Sequence, residues 1–252
     1  MLFETEASVY FALTCWSDGL RVHGFLGRPK GDKTRPAIIY NRGGSRKTGI
    51  LAGPELIPYV EAGYIVDTAS QYRGNAGSEG KEEFGGSDVN DVLHLLALLN
   101  KQPYVDSERL GMVGISRGGM MTYLALKWLY LRGDQKTIKV AAVVGGIADV
   151  GRWLADQPAM LPLCLDLVGF TPTQAPELYQ ARSAVYWPDF LSPPLLLQHG
   201  EADEKVALYQ SRHLADLLAQ RRKITRLVTH PGDNHALSAL EGGIEETLDW
   251  LI

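Results

Sequence analysis

The chain has 252 residues, of which 45% are hydrophobic and 21% charged, a composition typical of a globular protein and unlike that of a disordered chain, a collagen or a coiled coil. Its formal net charge is −4 and no long basic run is present, so we expect no nucleic acid partner. The two cysteines, Cys15 and Cys164, lie in apolar runs and are too few for a disulfide framework. The first residues are acidic rather than basic, and no apolar run approaches the ~20 residues that cross a bilayer. We therefore expect a cytoplasmic protein without a membrane segment.

Hydrophobic periodicity predicts a hairpin followed by alternating strands and helices. Residues 8–16 are rich in β-branched and aromatic side chains, Ser17-Asp-Gly favours a tight turn, and residues 20–27 alternate in part, which indicates an antiparallel hairpin. Short apolar runs then predict strands at residues 37–40, 65–69, 110–115, 140–144, 195–198 and 227–228. Apolar residues at helical spacing predict helices at residues 89–99, 118–131, 207–219 and 236–252. This alternation predicts an α/β fold, a mostly parallel twisted sheet with helices on both faces.

One segment interrupts this alternation. Residues 149–190 combine several prolines with large apolar side chains, which suits short helices better than a regular crossover. We expect a cap-like insertion that shapes a pocket over one end of the sheet, within a single domain of residues 1–252. The alternative is a long surface excursion that only covers the core.

The strongest chemical signal lies between a predicted strand and a predicted helix. Gly114-Ile-Ser116-Arg-Gly118 matches G-x-S-x-G, in which the sharp turn strains the serine backbone and leaves no room for side chains at the two glycines. The turn lifts the serine oxygen above the sheet, and the helix N-terminus behind it favours developing negative charge. We therefore predict Ser116 as a nucleophile and the backbone N–H of Arg117 as an oxyanion donor.

A serine nucleophile needs a base and an orienting acid. An apolar strand begins at Leu195 and ends in Gly200, and carboxylates follow at its carboxyl end, where open α/β sheets place their ligands. We assign Asp203 as the acid, with Glu201 and Glu204 as competitors. The loop after the next strand holds His235, which we assign as the base, and His230, the second choice. We interpret the other four histidines as structural: His23, His94, His199 and His213. The order serine, acid, histidine is that of the α/β-hydrolases.

A second oxyanion donor is expected in the loop after an early strand. Asn41-Arg-Gly-Gly44 stands where lipases and esterases often have His-Gly-Gly-Gly, and its glycines permit close backbone approach. We predict the backbone N–H of Arg42 or Gly43 as the donor, with the side chain of Arg42 or Asn41 as a variant.

The histidine-containing loops also carry side chains that bind metals. The potential ligands are Asp203, His230, Asp233 and His235. No His-Glu-x-x-His helix or cysteine cluster accompanies them, so we expect no metal and no cofactor.

Several blocks of the sequence resemble the catalytic domain of the prolyl oligopeptidase family of serine peptidases, the S9 type of α/β-hydrolase. They occur in the family's order and cover most of the chain: Ser17-Asp-Gly-Leu, Arg28-Pro-Lys-Gly, Gln71-Tyr72-Arg-Gly, Gly86-Ser-Asp-Val-Asn-Asp-Val, Tyr104-Val-Asp-Ser-Glu-Arg-Leu-Gly, Gly114-Ile-Ser-Arg-Gly-Gly, Arg182-Ser and His199-Gly-Glu-Ala-Asp. The resemblance implies an α/β-hydrolase fold and the same three catalytic residues. We also assign substrate contacts to Tyr72 in one of these blocks and to Trp153 and Trp187 in the cap-like insertion.

The chain departs from the family pattern in two ways. Members with oligopeptidase activity carry a large N-terminal β-propeller, for which this chain has no room, and several use an oxyanion-loop tyrosine where this chain has Arg42 or Asn41. We expect a serine hydrolase that cleaves a short peptide or a small ester through an acyl-enzyme. The alternatives are an esterase or thioesterase similar to the dienelactone hydrolases, which use cysteine in place of Ser116, and a catalytically silent binding protein of this fold. A homo-oligomer is compatible with the sequence.

Overall fold

The amino-terminal strands form the predicted hairpin. After a short strand β1 (Phe3–Glu4), strands β2 (Ser8–Ser17) and β3 (Leu20–Pro29) pair antiparallel, with Ser17 opposite Leu20. The turn residues Asp18 and Gly19 have φ values of 49° and 78°, as a two-residue type I′ turn requires. The turn therefore follows the right-handed twist of the strands.

The computed structural model describes residues 1–68, 73–235, 237 and 240–251, and within them the strands form one sheet. The remaining strands are β4 (Arg35–Asn41), β5 (Ile65–Thr68), β6 (Val105–Ile115), β7 (Val140–Val144), β8 (Leu195–Gly200) and β9 (Thr225–His230). Their order is β1-β2-β3-β5-β4-β6-β7-β8-β9, antiparallel as far as the β3–β5 pair and parallel from β5 to β9. The predicted mostly parallel sheet with an N-terminal antiparallel hairpin is confirmed.

Helices cover both faces of this sheet because its central strands are apolar on both sides. The described helices are α1 (Ile57–Glu61), α2 (Val89–Leu99), α3 (Arg117–Leu131), α4 (Val150–Asp156), α5 (Leu161–Val168), α6 (Pro176–Ala181), α7 (Tyr209–Gln220) and α8 (Leu240–Leu251). One hydrophobic cluster joins α2, α3 and α7 to strand residues such as Ile39 and Met112. The other joins α1 and α8 to the alternate residues, such as Ile38 and Val113. Because the strands from β4 to β9 are parallel, their carboxyl ends lie at one edge of the sheet, where the candidate site is found.

The segment predicted as a cap consists of short elements. A single 3-10 turn at Pro158–Met160 separates α4 from α5, and two more, at Ala184–Tyr186 and Pro188–Phe190, follow α6. Proline at the first or second position begins several of them, since its missing N–H costs nothing there. The division into one domain with a cap-like insertion stays a prediction. Of the helices in the described part of the chain, none combines the length and apolarity that a membrane crossing requires.

Candidate active site

Ser116 lies at the sharp turn between β6 and α3. Its φ of 58° and ψ of −122° are unfavourable for a residue with a Cβ, so the surrounding packing must hold this conformation. A Cβ on Gly114 would collide with Thr122 and with the carbonyl of Gly118, and one on Gly118 would collide with the carbonyls of Asn41 and Arg42. The two glycines of the motif are therefore required by close backbone approach, as the sequence predicts.

Three side chains from separate loops form one hydrogen-bonded chain. The Nε2 atom of His235 lies 2.9 Å from the Oγ atom of Ser116, and its Nδ1 atom lies 2.7 Å from Oδ2 of Asp203. Because an ionised carboxylate only accepts hydrogen bonds, Nδ1 carries the proton and the lone pair of Nε2 faces the serine hydroxyl. Ser116 then donates to His235, which is the arrangement that a general base needs.

Asp203 is held as an ionised carboxylate. Its side chain is 1% exposed, and its Oδ1 accepts the backbone N–H groups of Lys205 and Val206, both at 2.9 Å. Burial by itself raises the pKa of Asp203, but hydrogen bonds from His199, His235 and Val206 outweigh it and hold the pKa well below its usual range. The orienting carboxylate is therefore charged throughout the neutral pH range.

His199 is a second histidine partner of Asp203 that sequence reasoning treated only as structural. Its buried Nε2 lies 2.7 Å from the carbonyl oxygen of Val206 and 3.2 Å from Oδ2 of Asp203, and its Nδ1 lies 2.8 Å from Oγ of Ser211. A carbonyl only accepts, so Nε2 carries the proton and shares it between the two oxygens, while Ser211 donates to Nδ1. The available signal was the position of His199 four residues before Asp203, in the same motif block.

The competing residues have other partners. Oε1 of Glu201 accepts a hydrogen bond from the hydroxyl of Thr229 at 2.8 Å, and Glu204 is exposed. Nε2 of His230 lies 3.0 Å from Oε1 of Gln198. Across the residues that the structure covers, no group of three or more His, Cys, Asp or Glu side chains is arranged to hold a metal ion.

The loop after β4 runs against the serine turn. A Cβ on Gly43 would lie 3.0 Å from the carbonyl oxygen of Ile115 and 3.1 Å from Cβ of Ser116, so this backbone approaches the nucleophile as closely as glycine allows. The Nδ2 atom of Asn41 donates to Oγ1 of Thr122 at 2.9 Å. The guanidinium of Arg42 donates to the carbonyls of Gly43 and Thr48, each at 2.9 Å. These engaged side chains favour the backbone N–H groups over the side chains as oxyanion donors in this loop.

The side chain of Arg117 is buried in ion pairs below the turn. Its guanidinium pairs with Glu82, and with Asp88 at 2.9 Å, and lies 4.9 Å from the ring centre of Phe84. It is only 2% exposed. The contribution of Arg117 to an oxyanion site is thus limited to its backbone N–H.

A cavity of about 710 Å³ opens at Ser116 and His235. Its apolar walls include Leu51, Phe84, Ile147, Trp153, Met160 and Leu163. Trp153 stacks on Phe84 with 5.8 Å between ring centres, and its Nε1 donates to the carbonyl of Lys205 at 2.9 Å. A second cavity, of about 720 Å³, lies at the opposite edge of the sheet between Tyr64 and Trp250, away from the serine.

The three residues assigned to substrate contact lie in different places. Trp153 lines the cavity at Ser116, and its contact with a substrate stays a prediction. Trp187 is not among the described lining residues of this cavity: its indole N–H donates to the carbonyl of Gln180, and its ring packs 4.5 Å from Nζ of Lys127. The structure therefore does not place Trp187 at Ser116. Tyr72 lies outside the described residues.

A family model described as "Prolyl oligopeptidase family" matches residues 55–251. The chain belongs to the prolyl oligopeptidase family. The resemblance inferred from the sequence blocks is therefore confirmed, and it supports a serine hydrolase.

Individual relatives agree with this membership. The chain is 33% identical over 207 residues to the uncharacterized peptidase YtmA of Bacillus subtilis (strain 168), covering 82% of this chain and 78% of YtmA. It is 28% identical over 242 residues to the uncharacterized peptidase YuxL of the same organism, covering 88% of this chain and 34% of YuxL. A puromycin-hydrolyzing peptidase of Mycobacterium tuberculosis matches with a TM-score of 0.84 at 22% identity, over 98% of this chain and 40% of that one. The structural match confirms the α/β-hydrolase fold. The chain spans about a third of the length of YuxL.

Proposed function

We propose that this family member is a serine peptidase that hydrolyses short peptide amides and small esters through an acyl-enzyme. Ser116 is the nucleophile, His235 the general base and acid, and Asp203 the residue that orients the imidazole. The single observation that carries the proposal is the continuous chain of contacts at 2.7 Å and 2.9 Å from Asp203 through His235 to Ser116. Each link has the donor and acceptor that the chemistry requires.

In the first half-reaction, Oγ of Ser116 forms a bond to the acyl carbon while its proton passes to Nε2 of His235. The resulting imidazolium is stabilised by the ionised Asp203, whose depressed pKa keeps the charge on the carboxylate. When the tetrahedral intermediate collapses, the bond to the amine or alcohol breaks and the leaving group takes the proton from Nε2. The acyl group then remains as an ester on Ser116.

In the second half-reaction, water loses a proton to Nε2 of His235 and adds to the acyl carbon. Collapse breaks the bond to Oγ of Ser116, which recovers its proton from the imidazolium, and the carboxylic acid leaves. In both halves the negative oxygen is held by the backbone N–H of Arg117 and by an N–H of the Arg42–Gly43 loop. Each such donor contributes about 3 kcal/mol to transition-state stabilisation in comparable sites.

The cavity at Ser116 supports an apolar acyl group as the preferred substrate. Leu51, Phe84, Ile147, Trp153 and Leu163 contribute to its lining, so transfer of an aromatic or branched aliphatic side chain from water into it is favourable. Peptidase activity rests on the family and on its named relatives. The cytoplasmic location and the oligomeric state stay predictions from the sequence.

Labelling with a fluorophosphonate probe tests the nucleophile. The wild type and His230→Ala should be labelled, whereas Ser116→Ala should not, and His235→Ala should react at a greatly reduced rate. The two histidine variants form a matched pair because His230 contacts Gln198 rather than the serine. Equal labelling of the wild type and Ser116→Ala would remove the proposal, and so would absence of labelling of a folded wild type.

A panel of matched substrates then separates the activities. Esters and aminoacyl amides that carry the same phenylalanyl acyl group should both be cleaved, and both activities should disappear in Ser116→Ala. Cleavage of the esters alone would replace the peptidase by an esterase, and cleavage of neither would favour a binding protein of this fold.

A further inference from the structure

Glu82 lies beneath the serine turn as a buried carboxylate that the proposed chemistry does not use. Its side chain is 3% exposed, and its Oε1 accepts a hydrogen bond from the guanidinium of Arg117, the residue that follows the nucleophile. A buried carboxylate loses its hydration, and this cost is offset only where ion pairs and hydrogen bonds replace the lost water.

The second oxygen of Glu82 reaches the other candidate oxyanion segment. Oε2 accepts the backbone N–H of Arg46 at 2.9 Å and the Nδ2 atom of Asn75 at 2.7 Å. Arg46 belongs to the loop of residues 42–49, which begins directly after β4 and passes Ser116. One carboxylate therefore bridges the two segments from which the oxyanion donors are expected.

Other contacts hold this loop together and connect it to Arg117. The guanidinium of Arg42 binds the carbonyls of Gly43 and Thr48, which closes the loop on itself. The guanidinium of Arg117 reaches the carbonyl of Gly44 at 3.3 Å and the hydroxyl of Ser45 at 3.2 Å. A shift of the loop relative to Arg117 would therefore displace the N–H groups of residues 42 and 43 together.

We propose that Glu82 is a positioning residue that sets the distance between the backbone N–H of Arg117 and the N–H groups of the 42–49 loop. The inference rests on the proposed function, since it assigns Glu82 to the alignment of the same oxyanion site. Preorganised donors stabilise an oxyanion only when both point at the position that the negative oxygen occupies. Glu82 acts on the reaction through these two segments and does not touch the substrate.

The chemistry of the site requires a carboxylate. Among the described residues, the groups that hydrogen-bond the two oxygens of Glu82 are donors: the guanidinium of Arg117 on one side, and the N–H of Arg46 with the amide of Asn75 on the other. A glutamine would turn its NH2 group toward one of these sides, where a donor would face a donor. Glu82→Gln therefore breaks one of the two links in either orientation. Glu82→Asp keeps the charge but is one methylene too short to span both segments.

The test compares Glu82→Gln and Glu82→Asp with Asp91→Asn. Asp91 is an equally buried carboxylate that pairs with the buried Arg73 at 2.7 Å, and none of its described contacts reaches the turn or the 42–49 loop. All variants are assayed with one ester substrate below their unfolding temperatures. The measured quantities are kcat, KM and the inhibition constants of a boronic acid, which mimics the tetrahedral intermediate, and of the carboxylate product.

Both Glu82 variants should lose about 10- to 100-fold in kcat with KM changed by less than about threefold, because only transition-state stabilisation is lost. Binding of the boronic acid should weaken by the same factor, and binding of the product should not change. Asp91→Asn should unfold at a lower temperature but keep its kcat.

Three results would overturn the assignment: wild-type kcat in both Glu82 variants, an equal loss of kcat in Asp91→Asn, or failure of both Glu82 variants to fold. Ser116→Ala, measured in parallel, separates the two proposals. If that variant retains activity, the proposed function fails. If it is inactive and the Glu82 variants turn over normally, only the positioning role fails.

Discussion

Replacing Asp203 by asparagine should reverse the direction of the hydrogen bonds in the catalytic chain. The Oδ1 position accepts two backbone N–H groups at 2.9 Å, so the asparagine oxygen is expected there and the NH2 group must take the Oδ2 position. That group faces Nδ1 of His235 at 2.7 Å and Nε2 of His199 at 3.2 Å. His235 must then accept at Nδ1 and carry its proton on Nε2, where it faces Ser116 and has no lone pair for the serine proton.

The loss should be large although the geometry hardly changes. A wrong imidazole tautomer together with loss of the carboxylate charge lowers kcat by about 10⁴-fold in comparable triads, or about 5.5 kcal/mol. Stopped-flow hydrolysis of an activated ester measures the acylation rate, with His230→Ala as a control that should behave as wild type. A rate for Asp203→Asn within about tenfold of the wild type would refute the assigned tautomer and the role of Asp203.

Two further predictions concern stability and specificity. Burial raises the pKa of Asp67 to about 7, whereas the pKa of an aspartate in the unfolded chain is about 3.9. The contribution of this group to stability is therefore complete below pH 4 and is lost as the pH rises through 7, which lowers the free energy of unfolding by about 4 kcal/mol. Urea unfolding at pH 4, 6 and 8 should show a decline that is about 4 kcal/mol larger in the wild type than in Asp67→Asn, because Asp88, whose pKa burial raises to about 6, titrates in both proteins. The same change of the unfolding free energy with pH in both proteins would contradict the reasoning. Trp153→Ala should lower kcat/KM for phenylalanyl esters about 10- to 100-fold relative to acetyl esters, because it removes part of the apolar wall. Trp187→Ala should leave that ratio unchanged, and a shift of both variants by the same factor would argue against the cavity as the acyl site.

The parallel core of the fold could be predicted from the sequence because its strands are covered on both faces. Val140–Val144 appears as a continuous apolar run and Leu195–Gly200 begins with three leucines, as expected of strands that are covered on both faces. β6 begins at Val105, five residues before the predicted strand, since the polar residues 106–109 carry no hydrophobic signal. Backbone pairing of Val105 with Arg35 extends the strand there, and a pattern of side chains does not report backbone pairing.

Some residues of the candidate site could likewise be predicted from the sequence, and others could not. Ser116 was predictable because its constraint is local, and Asp203 and His235 because loops at the carboxyl ends of parallel strands must share one edge. The contacts of His199 with Asp203 and of Glu82 with Arg117 and Arg46 were not, because they depend on which atoms face each other after folding. The two tryptophans of the capping segment, Trp153 and Trp187, have equal composition signals, and only the folded contacts show that one lines the cavity and the other packs against Lys127.

The strained serine turn and the end of β4, from which the 42–49 loop begins, are bonded to each other. Oγ1 of Thr122 accepts from Asn41 at the end of β4 and donates to the carbonyl of Gly118 at the start of α3, each at 2.9 Å. These bonds and the close backbone packing at Gly118 hold Ser116 in a conformation that costs about 1–3 kcal/mol. Trp153, from α4, forms a wall of the cavity, stacks on Phe84 and donates its Nε1 proton to the carbonyl of Lys205. Substitution of an apolar wall residue such as Leu163 of α5 should therefore change which acyl groups are accepted while the reacting atoms keep their alignment. Asp166 of the same helix pairs with Arg46 of the 42–49 loop, so its substitution should also affect that loop.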